Sequence, residues 1–115
     1  MPISLSVGPT AEGAYRAPKV FSLDDYVEND LWNLIGRLKR ELPQLRRLGP
    51  AAACSDETFS PDEMPALMRD VEYLAAEGSE AGTVLTTRLK QGLRRLQPFL
   101  EQANATNSFL HAHIE

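Results

Sequence analysis

His111 and His113 are the one pair in this chain whose type and spacing invite metal chemistry. On a strand, residues i and i+2 share a face, so both imidazoles can reach one ion. On a helix the same two side chains point apart. A catalytic zinc needs a third protein ligand, and the only acid beside the pair is Glu115. His111 and His113 therefore stand as metal candidates in an alternative reading, a metal-binding protein or metal-dependent enzyme built on a C-terminal His-x-His. The plainer expectation for them is a polar tail.

Little else converges on a reaction. The stretch Gly78 to Gly82 lacks the lysine and the spacing of a phosphate-binding loop. No local motif supplies a Ser–His–acid set. Asp62 and Glu63 are accounted for by capping and the helix dipole. Cys54 is the only cysteine, so no internal disulfide forms, and Asp56 and Glu57 nearby disfavour a thiolate. No cofactor is expected, and the balance leans away from an enzyme.

Around these residues the chain reads as helices. From Ser22 to Gly49, the residues Leu23, Tyr26, Val27, Leu31, Leu34, Ile35, Leu38, Leu42 and Leu45 recur at helical spacing and form one apolar stripe. Ser22 is the expected N-cap, with Asp25 three positions on and Phe21 and Tyr26 placed as a hydrophobic staple. Acids crowd the first turns and bases the last, and Gly49-Pro50 is a stop signal. Pro43 falls inside this stretch, where it costs about 3 kcal/mol or more. A kink, or two helices sharing one axis, is expected there, with a clean stop at Glu41 as the alternative.

The second helix is expected over Pro61–Glu77, opened by the capping box Ser60 to Glu63 and closed by Gly78. The third is expected over Thr83–Gln97 on a stripe of Leu85, Leu89, Leu93, Leu96 and Leu100, with Pro98 ending or kinking it. Ile3 to Val7 alternates apolar and polar, as a short strand or hairpin arm does. Thr10 to Ala14 and Gly49 to Phe59 read as connections, and Asn104 to Glu115 as a tail or short strand. The predicted fold is mostly α: a single domain, a small three-helix bundle with a long, Pro-kinked first helix. Residues 1–21 form an extended arm or short strand (nominally α+β), 22–103 the helical core and 104–115 the tail.

The 115 residues carry a formal net charge of −4, which opposes a general attraction to nucleic acid. No apolar run reaches the length of a membrane span and no secretory signal pattern is seen, so a cytoplasmic location is expected. Charge comes in blocks: basic after Gly36, acidic from Asp56 to Glu80, basic from Arg88 to Arg95. In size, acidity and want of a catalytic motif the chain is similar to small bacterial inhibitor and immunity proteins. The expected function is a non-enzymatic protein–protein interaction module, an inhibitor, adaptor or regulator. The partner-binding candidates are Trp32, Leu31 and Ile35 on the first stripe and Arg88, Arg94 and Arg95 on the third helix. The first stripe is too long for two shorter helices to cover, so a homodimer pairing the long helices is also expected, with a monomer as the alternative if Leu45–Leu48 folds back over the stripe or Ile3, Leu5 and Val7 cover it.

Overall fold

The structure, a computed structural model, describes residues 3–35, 42–48, 55–80 and 87–114. Four strands and five helices follow one another as β1 (Ile3–Gly8), α1 (Ala11–Arg16), β2 (Phe21–Leu23), α2 (Asp25–Ile35), α3 (Pro43–Arg46), β3 (Ser55–Phe59), α4 (Met64–Glu80), α5 (Thr87–Ala105) and β4 (Phe109–Ile114). The strands make one antiparallel sheet in the order β2-β1-β4-β3. The fold is α+β, and the expected three-helix bundle is overturned by that sheet.

The period of the strands divides the sheet into two unlike faces. Ile3, Leu5, Leu110, Ala112 and Phe59 lie on one face and join a single buried cluster with α2, α3, α4 and α5. Ser4, Ser6, His111, His113, Asp56 and Thr58 lie on the other, and α1 packs across part of it. Thr10 opens α1 by accepting the Gly13 N–H at 2.9 Å on its hydroxyl oxygen, where a loop was expected. Gly8 lets the backbone of α1 descend onto the end of β1: a Cβ there would sit 2.5 Å from Ala14 N.

The expected first helix, Leu23–Leu48, is divided. Phe21–Leu23 pairs with β1 as a strand, so Ser22 is not the cap. Asp24 is, its Oδ1 accepting the Val27 N–H at 3.0 Å. After the undescribed residues 36–41, on which the expected stop at Glu41 falls, Leu42 has φ 48 and ψ 61, a left-handed conformation that a helix interior excludes. Pro43 then begins α3 at a position where its missing N–H costs nothing. The apolar spacing is nonetheless used: Leu45 on this short helix, and Leu42 and Leu48 on either side of it, all enter the core.

The later boundaries also shift. The Glu63 carboxylate turns back to the Ser60 N–H at 2.9 Å, as a capping box does, but residues 61–63 form a turn and α4 starts at Met64. It runs through Gly78 to Glu80. Helix α5 runs past Gln97 and holds the exposed Pro98 within it. It ends on Asn107, left-handed at φ 53, with Ser108 N donating to Ala103 O and Asn107 N to Asn104 O. That reversal sends the chain into β4, an inner strand of the sheet where a tail or short strand was expected. Residues Ser55–Phe59, expected as a connection, form its edge strand.

Candidate functional site

His111 and His113, both on β4, do share a face, and the chain places β3 beside them. Asp56, directly across from His113, brings Oδ1 to 2.6 Å from His113 Nδ1 and 3.4 Å from His111 Nε2. His111 is buried. Its Nδ1 lies 3.3 Å from Thr58 Oγ1, and the Tyr15 ring of α1 meets it edge-on at 5.0 Å. Its Nε2 is buried without a formed hydrogen bond, pointing at Asp56 across the long 3.4 Å gap. The hydrogen bond from His113 holds the Asp56 carboxyl below its ordinary pKa, helped by the nearby charge of His111. Burial, then the positive charge of Lys19, push the His111 imidazole below its ordinary value, with Asp56 opposing.

The Asp56–His113 contact joins the edge strand β3 to β4 through side chains as well as through the backbone ladder. Asp56 Oδ1 thus faces both imidazoles. Among the described residues no group of three His, Cys, Asp or Glu side chains forms a metal-holding arrangement. Ser6, opposite His111 in the ladder, is buried and donates its hydroxyl to Ala14 O at 2.6 Å, so it is not presented as a nucleophile. Arg47 ties the same edge to the helices. Its guanidinium bonds Thr58 O at 2.6 Å, reaches Glu63 and Gln44, and lies 4.0 Å above the Phe59 ring.

The partner-binding candidates separate into two groups. Leu31 and Ile35 are each 1% exposed and belong to the core, so these two residues, expected to lie open, are covered within one chain. Trp32 is half-buried against that core, and its buried Nε1 has no hydrogen-bond partner among the described residues. Arg88 is engaged by Asp30, with Nε to Oδ2 at 2.6 Å and a second bond at 3.2 Å, and sits over the Tyr26 ring. Asp30 holds its pKa above the ordinary arginine value. Arg94 and Arg95 are exposed on α5. Arg95 lies 5.1 Å over the Phe21 ring, and Phe21 stacks on Phe99 at 5.1 Å.

That stack leads to a cleft of about 480 Å³ between the C-terminal half of α5, β1 and Val20. Val7, Val20, Phe99 and Ala103 supply its apolar lining, and Gln102, Thr106 and Ser108 its polar end. The sequence reading missed both Asp56 and this cleft. Alternation in Phe109 to Ile114 was the available signal for β4; nothing local marks which strand pairs with it. Among the described residues no helix is long and apolar enough to cross a membrane. The chain matches no protein-family model, no curated protein and no solved structure.

Proposed function

We propose that this chain is a non-enzymatic protein-interaction module, an inhibitor, adaptor or regulator of another protein, acting in the cytoplasm. The observation that carries this is the segregation of charge on α5. The chain is acidic overall, yet α5 holds Arg88, Lys90, Arg94 and Arg95 against the single acid Glu101. Lys90, Arg94 and Arg95 face solvent, and among the described residues no carboxylate lies within ion-pairing distance of them. A one-signed face of this kind speeds encounter with an oppositely charged partner and selects against like-charged ones. The inward use of the chemical groups supports the same reading, because Ser6, His111 and Asp56 are spent on holding α1 and β3 in place. Leu31 and Ile35 lie inside the core and are not offered to a second copy, and the partner we propose is a different protein.

The test is affinity capture from cells followed by purification of a discrete complex. The wild-type chain is expected to yield a complex of fixed stoichiometry that the Arg94→Glu, Arg95→Glu double variant does not form. A small-molecule activity in the purified chain, with no such complex, would remove the proposal.

A further inference from the structure

The geometry points to the cleft beside β1 as the seat of one bulky apolar side chain from an acidic partner segment lying along α5; this rests on the interaction reading above. Arg95, Phe99 and Gln102 succeed one another at spacings of four and three and share one side of α5, with Thr106 four residues on, just past its end. Arg95 begins the row, and the last three line the cleft. A ligand seated there therefore meets a cation at one end of the row and hydrogen-bonding groups at the other.

Two properties select the occupant. The cleft's size is that of a pocket for a drug-sized group, and its apolar lining of Val7, Val20, Phe99 and Ala103 suits an aromatic or large aliphatic anchor. Such anchors carry most of the energy in protein interfaces. Val20 is 63% exposed at the cleft's mouth, and Phe99 is partly exposed, so apolar surface is offered to solvent there. The second property is charge. Arg95 lies one helical turn from Phe99, and Lys90 and Arg94 extend the positive field along the same helix. Phe21, in contact with both Arg95 and Phe99, links charge and cleft into one surface. Carboxylates flanking the anchor complement these cations. A nucleic acid would complement the charge as well, but the apolar lining at the end of the row matches a hydrophobic side chain better than a sugar–phosphate backbone.

The test uses the full chain and three labelled probes in fluorescence anisotropy: a Glu-rich peptide carrying one Phe, the same peptide with Ser for Phe, and a single-stranded oligodeoxynucleotide of equal charge. The Phe peptide is expected to bind about tenfold or more tighter than its Ser counterpart, an increment typical of a single anchor. Gln102→Trp, at an exposed helix position, fills the cleft and is expected to abolish that preference while circular dichroism stays unchanged. Arg95→Glu is expected to weaken both peptides. Equal binding of the two peptides, tightest binding of the oligonucleotide, or a preference that survives Gln102→Trp would overturn the assignment. If a protein captured by the wild type is held equally by Gln102→Trp, the cleft assignment fails and the interaction reading stands. If the Phe preference is found but no natural complex forms, the cleft assignment stands and the interaction reading fails.

Discussion

Asp70, in the middle of α4, caps α3: its Oδ2 accepts the N–H of Gln44 at 2.9 Å and that of Leu45 at 3.1 Å. The residue that precedes α3, Leu42, has no side chain able to do this. The cap therefore comes from a neighbouring helix. Asp70→Ala is expected to destabilise the fold by about 1 kcal/mol, the usual cost of a lost cap. Asp70→Asn, which keeps an acceptor oxygen, should cost less. Urea unfolding midpoints for the two variants check this, and equal losses would show that the capping bonds are not what Asp70 contributes.

Gly8 and Gly92 both sit at close approaches, but against different neighbours. A Cβ at Gly8 meets the α1 backbone, 2.5 Å from Ala14 N and 2.6 Å from Gly13 C, which cannot yield without lifting the helix. A Cβ at Gly92 meets Val27 Cγ1 at 2.9 Å, the end of a side chain. Gly8→Ala is expected to cost about 1–3 kcal/mol, the range for overpacking. At Gly92 the clash is offset by about 1 kcal/mol of helix propensity gained by alanine, so Gly92→Ala should be milder. Thermal unfolding of the two variants side by side decides the order.

Stability should rise with pH across two windows. The folded pKa of His111 lies below its ordinary 6.5, so between the two values the unfolded chain binds a proton that the folded chain does not. The folded chain is then favoured above the window and loses that advantage as pH falls through it. Asp56, held below 3.8, acts in the same direction at lower pH: its contribution is present above 3.8 and lost as pH falls through the folded value. Denaturation curves from neutral to acid pH measure both. His111→Gln should flatten the upper window only. An unchanged slope there in that variant would show that His111 is not its source.

Chelation should leave the protein as it is. Asp56 Oδ1 already lies 2.6 Å from His113 Nδ1 and 3.4 Å from His111 Nε2, so the cluster holds together by its own contacts. Dialysis against a chelator is expected to leave the unfolding temperature unchanged, and elemental analysis to find no stoichiometric metal. A fall in unfolding temperature that is restored by zinc, and absent in a His111→Ala, His113→Ala double variant, would revive the metal-binding alternative.

The amino-acid sequence alone determined the helix-forming stripes and the alternation of the first strand. Leu89, Leu93 and Leu96 lie buried on α5 and Ile3 and Leu5 on β1, as their spacing required, because a local period dictates which side of an element can be buried. Spacing could not say that Leu45 belongs to a different helix from Leu31 and Ile35. That depended on a left-handed Leu42 and on a cap supplied by Asp70 from 25 residues away. Nor could it pair the strands. Ser55–Phe59 holds only one large apolar residue, Phe59, and becomes a strand by hydrogen bonding to β4, which arrives some fifty residues later. Strand pairing depends on such distant partners more than on local preference. The candidate site shares that dependence: His111 and His113 were visible as a pair, but Asp56, Tyr15 and the cleft residues became neighbours only when the sheet closed, since each comes from a different element.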